Sequence, residues 1–448
     1  MPDKINALVV NPYVADFKLY DEWMHPLGLY FLIDILTANN IDVHYFNFLE
    51  RPAEMPAKKY GTGRFNFVEL PKPDCFREIK RKYKLYGCEK EHFFEYCSLL
   101  PKIDVIFISG MMTYWIDGVR ETIRVIRERY PCMPVVGGGV AMQLMPHFYH
   151  QNIPGIHIYD ASLFPENGKV TVPGIAQTII PPMIPSLRTA FEIMKMPLLH
   201  GPALLTLGCP LSCSYCASRI LQPRFKRRPL EVIKEEILFL IQNGIQDISF
   251  FDDALLVNSE KLLIPFLKWI IKQEYKIRFH TPNGLHLVHV TEELLYLMRD
   301  AGFTTLRFGY ESGRMKHRIQ TGGKVDYRIL ECKLKLLQKI PFPDTGIYLM
   351  GGLPESSPDE MIDEMKFVGS FGVSVKPVFL SPVPGTALFN TYSTQFPILK
   401  TEPRSHNDTY FTTILPEWGE DGVEKARLVA KEINRRVRTG VIKKISDG

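Results

Sequence analysis

Gly208-Cys-Pro-Leu-Ser-Cys-Ser-Tyr-Cys216 places three cysteines, Cys209, Cys213 and Cys216, at the spacing C-x3-C-x2-C. Thiolates at such a spacing can hold three irons of a [4Fe–4S] cube. The fourth iron is then left without a protein ligand, and an open iron is a place where a small molecule can bind and be reduced. A zinc site and unrelated core thiols are the alternatives. Zinc usually takes two pairs of Cys or His, and no second pair lies near.

Working outward from this run, short apolar stretches alternate with helical patterns from about Pro202 to Thr386. Expected strands are Ala203–Gly208, Asp247–Phe251, Ile277–Thr281, Thr304–Tyr310, Gly346–Met350 and Val375–Leu380. Leu230–Gln242 has apolar residues at helical spacing and ends at Asn243-Gly244, a C-cap signal. Thr291 precedes two glutamates as an N-cap, and Ser357-Pro358-Asp359-Glu360 reads as a capping box with proline at the first helical position. Six strand–helix units predict an α/β fold with a parallel sheet curved into a partial (β/α)6 barrel. Chemistry in such folds sits at the C-terminal strand ends, and the three cysteines follow the first strand directly.

Other polar and glycine-rich segments stand at the remaining strand ends: Asp252-Asp253, Asn283-Gly284, Gly309-Tyr-Glu-Ser-Gly313, Tyr348-Leu-Met-Gly-Gly-Leu-Pro-Glu355 and Ser381-Pro-Val-Pro-Gly-Thr386. Asp252-Asp253 could equally be a helix cap. With Tyr215 before the third cysteine, the pattern C-x3-C-x-aromatic-C resembles the radical S-adenosylmethionine (radical SAM) superfamily. The resemblance implies a [4Fe–4S] cluster on Cys209, Cys213 and Cys216 whose open iron chelates S-adenosylmethionine. One-electron reduction of that pair makes a 5′-deoxyadenosyl radical. It also implies that Tyr215, Asp253, Glu311, Ser312 and Gly352 lie in the cofactor site, with Gly352 in the segment that packs against adenine.

In the first half, strands are expected at Asn6–Asn11, Asp42–Phe48, Asp104–Ser109 and Met133–Val136, the last ending at Gly137-Gly138-Gly139. Helices are expected at Pro26–Thr37 and Asp117–Arg129. The pattern is doubly wound and Rossmann-like. Glycines at a strand end let backbone approach a ligand closely, although a tight turn needs them too. A Rossmann-like domain before a radical SAM barrel resembles the cobalamin-dependent, class B methyltransferase-like branch. That resemblance implies cobalamin, with Ser109, Gly137 and Gly138 beside its nucleotide tail. The D-x-H-x-x-G motif that supplies a cobalt-ligating histidine elsewhere is absent. His25-Pro-Leu-Gly28 keeps its second half, but Asp21 lies one residue too far upstream, so His25 reads first as a loop or helix-start residue. Ile158-Tyr-Asp-Ala-Ser162 stands where an acidic Gly-Glu stretch is usual.

The expected domains are 1–172, with an insertion at 51–100, a Pro-rich linker at 173–196, the barrel at 197–387 and a C-terminal cap at 388–448. The insertion reads as a lid or inter-domain loop; its Tyr60-Gly-Thr-Gly-Arg-Phe65 run neither follows a strand nor opens a helix, as a phosphate loop would. The tail, with a helix at Val423–Thr439, is expected over the barrel mouth. Cys75, Cys88, Cys97, Cys132 and Cys332 read as ordinary thiols. Arg219, Arg224, Lys226, Arg227 and Arg228 read as a solvated rim or as a contact for an anionic substrate or reductant.

The chain has 448 residues, 46% apolar, and a net charge of +5 with both signs interspersed. This composition gives no argument for nucleic-acid binding. No signal-peptide pattern or ~20-residue apolar span appears, and eight cysteines suit a reducing compartment, so a cytoplasmic location is expected. The leading functional expectation is cobalamin-dependent C-methylation of an unactivated carbon, with a flavodoxin- or ferredoxin-type reductant. The runner-up is a cobalamin-free radical SAM enzyme catalysing a ring closure, coupling or rearrangement. A non-catalytic protein with a structural or redox-sensing cluster would leave the strand-end polar residues without a use. No motif names the substrate.

Overall fold

The structure, a computed structural model, describes residues 4–51, 55–158, 172–173, 175, 179–180, 185–194, 198–314, 316–317 and 325–440. Tyr159–Ser162 lies outside these residues; of the expected linker, 173, 175, 179–180 and 185–194 are described and include a helix at Arg188–Met194. The chain divides into two compact units: Met1–Leu199 with Glu402–Arg404, and His200–Thr401 with Ser405–Gly448.

Strands of the first unit are β1 (Asn6–Asn11), β2 (Val14–Asp16), β3 (Asp42–Asn47), β4 (Phe67–Leu70), β5 (Tyr83–Tyr86), β6 (Val105–Ser109), β7 (Val135–Gly138) and β8 (Ile156–Ile158). The main sheet runs β3-β1-β6-β7-β8, every pair parallel. Strand order reverses at β1/β6, the doubly wound arrangement that puts ligands outside the carboxyl strand ends at the switch point. Ala7, Leu8, Val9 and Val10 are fully buried, because helices cover both faces and a central parallel strand must be apolar throughout. Helix Ile116–Arg129 buries Ile116, Val119, Ile123 and Ile126 at helical spacing.

Two details differ from expectation. The fourth strand starts two residues later, so Gly137 and Gly138 belong to β7 itself, and β8 forms a fifth strand whose three residues were too few to register as a pattern. The insertion also has structure of its own. Its strands β4 and β5 join β2 in an antiparallel sheet, β2-β5-β4, over a Phe17, Phe76 and Tyr83 aromatic cluster. The Tyr60–Phe65 run serves packing. A Cβ at Gly63 would lie 2.3 Å from the Arg51 guanidinium, which pairs with buried Asp21 at 3.0 Å and donates to the Gly61 carbonyl.

The second unit holds β9 (Gly201–Ala203), β10 (Thr206–Leu207), β11 (Lys226–Arg227), β12 (Asp247–Phe250), β13 (Arg278–His280), β14 (Leu285–His286), β15 (Phe303–Glu311), β16 (Asp344–Gly351) and β17 (Ser374–Phe379). Its parallel sheet runs β9-β12-β13-β15-β16-β17, with β14 also paired to β15. The order never reverses, as in a barrel, and among the described residues β9 does not pair with β17, so the barrel is partial. The three helix caps read from sequence are present. Thr291 accepts from the Leu294 amide, Ser357 and Glu360 form the capping box, and Gly244 has φ +81° after the Asn243 cap.

The long C-terminal helix, Gly419–Thr439, packs beside helix Pro358–Ser370 and β17, where the Asn434 side-chain amide bonds both the N–H and C=O of Val375. An edge strand leaves backbone groups open, and this amide closes two of them. Earlier tail residues reach the strand ends, Leu388 at Ser214 and Tyr392 and Thr412 at Gly352. Among the described residues no helix is long and apolar enough to cross a membrane.

Candidate active site

The first expected strand breaks in two. β9 ends at Ala203, and β10 turns to pair antiparallel with β11. The cause is Asp252, just past β12. Its buried carboxylate accepts from the Leu205 and Thr206 amides and the Thr206 hydroxyl, at 2.5–3.2 Å. These donors can no longer continue the parallel ladder. Asp252 is therefore an anchor for the cysteine loop and not a helix cap. Burial raises its carboxyl to about 6. Arg228 clamps the same loop from the other side. It lies buried, in a two-point pair with Glu236, and donates to the Leu204 carbonyl. It was expected on the solvated rim, but desolvation of a guanidinium is tolerated when a carboxylate pairs with two of its nitrogens, as Glu236 does here.

Beyond this anchor, Cys209 is buried, and Cys213 and Cys216 are half-buried. None forms a disulfide. The Cys216 amide donates to the Cys213 carbonyl, and the Ser218 amide and hydroxyl lie 3.5 and 3.2 Å from the Cys216 sulfur. Asp253, three residues past β12, is exposed and takes a hydrogen bond from Ser218. Among the described residues, no group of three His, Cys, Asp or Glu converges as a single metal ion requires. A [4Fe–4S] cube takes one thiolate per iron, so three cysteines suffice for it, whereas a structural zinc site closes with four protein ligands.

Glu311 ends β15 at a break in register with β16, at φ +61°. A non-glycine residue there is strained, and such a kink re-aims the side chain. It brings Glu311 to the Tyr215 hydroxyl, 2.5 Å away. Burial, then the Glu311 and cysteine charges, pushes the Tyr215 phenol far up, so it stays a proton donor. Ser312 and the Gly313 amide bond to Glu364 at 2.8 and 3.0 Å, and the Tyr327 hydroxyl reaches the same oxygen at 2.9 Å. Glu364 was missed by sequence reading. The available signal was an acid in the buried register of helix Pro358–Ser370, between Met361, Ile362, Met365 and Val368. Burial raises its carboxyl.

Gly352 has φ +82°, and a Cβ there would meet the Thr412 hydroxyl at 2.8 Å; its carbonyl accepts from Tyr392. Asn283 and Gly284 fill the break between β13 and β14, where Asn283 donates to the Phe251 carbonyl. The second unit thus gathers Tyr215 and Glu311 in direct contact, Ser312 behind them, and Asp253 beside Ser218.

In the first unit, Ser109 and Gly138 are register partners on β6 and β7 and are both half-buried. Past these strands Met111, Met112 and Val140 are exposed, an open apolar edge beside small residues. Gly137 is needed by packing, since a Cβ would lie 2.5 Å from the Met142 sulfur and 2.6 Å from Ile156. His25 is buried with Nδ1 3.2 Å from the Tyr30 hydroxyl.

Residues 204–368 match the radical SAM superfamily.

The chain carries a radical SAM domain.

An uncharacterized methyltransferase of Pyrococcus horikoshii is 24% identical over 193 residues, 42% of this chain and 41% of that protein. The ribosomal protein uS12 methylthiotransferase RimO of Bacteroides fragilis is 25% identical over 171 residues, 36% and 39% of the two chains. The match thus spans about two fifths of the length of these relatives. Two solved structures share the fold at low identity. The radical S-adenosylmethionine methyltransferase TsrM of Kitasatospora setae, with cobalamin and [4Fe-4S] cluster bound, aligns over 98% of this chain and 100% of its own, at TM-score 0.63 and 14% identity. The cobalamin-dependent S-adenosylmethionine radical enzyme OxsB aligns over 96% and 61%, at TM-score 0.52 and 13% identity.

Proposed function

We propose that this radical SAM enzyme holds a [4Fe–4S] cluster on Cys209, Cys213 and Cys216, binds S-adenosylmethionine against Tyr215, Glu311 and Ser312, and uses cobalamin on the first unit to methylate an unactivated carbon. The observation that carries the reading is the Tyr215–Glu311 hydrogen bond, which ties the cysteine loop to the end of the fourth barrel strand. When bound, the cluster and S-adenosylmethionine supply a carbon radical able to abstract hydrogen, and methylcobalamin supplies the methyl group.

The chain's own residues bind, orient and exclude water. Asp252 and Arg228 fix the start of the cysteine loop. Ser218 donates its amide to the Cys216 sulfur, with its hydroxyl shared between that sulfur and Asp253, which lowers the electron density of the thiolate. Tyr215 keeps its proton and orients Glu311. A Glu311 carboxylate aimed into the site suits the amino and hydroxyl groups of S-adenosylmethionine, and Gly352 makes a left-handed turn, φ +82°, in the segment that would pack against a flat base. For cobalamin, the open edge of Met111, Met112 and Val140 suits an apolar macrocycle, and Ser109 with Gly138 leaves room at the strand ends. No described feature makes His25 a cobalt ligand, because its ring faces Tyr30.

The test is anaerobic purification with cobalamin supplied, followed by iron, sulfide and cobalamin assay of wild type, Cys213→Ala and Gly138→Trp. Full cluster loading that falls in Cys213→Ala, with cobalamin lost only in Gly138→Trp, is expected. Unchanged iron in a triple Cys→Ala protein refutes the cluster. Absence of cobalamin from cluster-loaded wild type refutes the methylation reading and leaves a ring closure, coupling or rearrangement.

A further inference from the structure

The segment Ser218–Arg228 lies directly against the cysteine loop and presents its charge outward. A Cβ on Gly208 would meet the Gln222 and Arg224 carbonyls at 3.0 and 3.2 Å, and β11 pairs with Thr206-Leu207. Phe225 packs inward on the small core of Cys209, Ala254 and Val257, and Arg228 is buried against Glu236. Between and beside these anchors Arg219, Arg224, Lys226 and Arg227 are exposed, as is Ile220, 47% accessible. Among the described residues Arg219, Lys226 and Arg227 form no ion pair, whereas other surface cations, such as Arg124, Lys339 and Arg435, are paired.

We infer that this face docks an acidic, low-potential protein electron carrier and is where the cluster receives its electron. Unpaired cations around one apolar anchor suit a transient protein partner: charge steers the encounter, and an apolar centre completes a small interface. A nucleic acid would call for a longer basic track with stacking side chains, and Ile220 offers none. The step moves a single electron. The reduced carrier gives it up and is left one-electron oxidised, and the cluster passes from its 2+ to its 1+ level without bond making or proton transfer. Phe225, on Cys209, keeps the path from this face to the cluster short. The inference rests on the cluster reading above.

The experiment compares wild type with Lys226→Glu/Arg227→Glu, and with Lys226→Gln/Arg227→Gln, using two electron sources. Dithionite, a small inorganic reductant, needs no docking face; a purified flavodoxin with its reductase and NADPH does. Iron and sulfide are measured first. The Glu pair is expected to cleave S-adenosylmethionine at the wild-type rate with dithionite, while KM for flavodoxin rises tenfold or more and loses its salt dependence. The Gln pair should fall between. Equal flavodoxin KM in all three proteins overturns the docking face. If the Glu pair fails to load cluster, the Gln pair decides: a raised KM supports the face and an unchanged one overturns it. Failure of wild type with dithionite, by contrast, strikes the cluster reading itself.

Discussion

The Tyr215 hydroxyl donates to Glu311 Oε1 across 2.5 Å, joining a residue inside the cysteine triplet to the kinked end of β15. Glu311 holds a left-handed backbone to make this bond, so the site stores strain in order to aim one carboxylate. Glu311→Gly relieves the strain and removes the carboxylate. Cluster content should stay at the wild-type level, and S-adenosylmethionine affinity should fall about 10- to 100-fold, the worth of one charged hydrogen bond. Calorimetry with S-adenosylmethionine checks it, and an unchanged affinity would assign Glu311 to structure alone.

Glu364 holds three donors behind that carboxylate. Glu364→Ala leaves the Ser312 hydroxyl, the Gly313 amide and the Tyr327 hydroxyl without their acceptor. A loss of about 3 kcal/mol in the stability of the second unit is expected. Glu364→Gln keeps an acceptor oxygen and should lose far less. Denaturant melts of the two variants read the difference.

Much of this architecture was legible beforehand. Barrel strand positions followed from apolar runs punctuated by glycine and acid pairs, and the caps at Thr291 and Ser357 followed from local hydrogen-bond chemistry that needs no tertiary context. The cysteine spacing was readable because thiolate ligands must come from one short loop. Three kinds of feature were not legible. Arg228 sat in a basic run, and only its pairing with Glu236 pulls it inside. The role of Asp252 depends on a strand 46 residues away meeting it. The three-residue strand β8 and the insertion's small sheet are shorter than any periodicity can reveal.

Asp252 and His406 should act on acid stability with opposite signs. The folded-state value of Asp252, about 6, lies above the ordinary carboxylate value. The folded state therefore binds the proton more tightly, and this contribution to stability is lost as pH rises from about 4 through 6. Asp252→Asn should abolish that falling limb, so acidification from pH 6 to pH 4 destabilises the variant more than wild type. Thermal melts across this range test it, and parallel curves would count against a protonated Asp252.

His406 is buried against Phe389, with Nε2 2.7 Å from the Leu399 carbonyl. Burial lowers its ring to about 4. An unfolded histidine takes up a proton below about 6.5, so stability is fully present above that pH and is lost as pH falls toward 4. His406→Gln should flatten this loss while keeping a donor for Leu399. In wild type the two groups offset one another, and a single variant exposes the hidden slope. A Gln variant with the wild-type acid profile would rule His406 out as the sensor.

The three residues Glu402–Arg404, late in the chain, belong to the first unit, where Arg404 forms a two-point ion pair with Asp117 at 2.6 and 2.7 Å beside the Tyr83 hydroxyl. A fragment ending at Leu199 therefore lacks a piece of its own interior. Asp117 would lose its two-point partner and keep, among the described residues, only the Tyr83 hydroxyl and a longer contact to Arg120 at 3.6 Å. Swapping this N-terminal half with that of a relative would meet the same difficulty, because the donor half would arrive without the arginine it was selected to hold. Recombination between such proteins is expected to succeed when the Glu402–Arg404 segment travels with the N-terminal half, and to yield poorly folded chimeras when it does not.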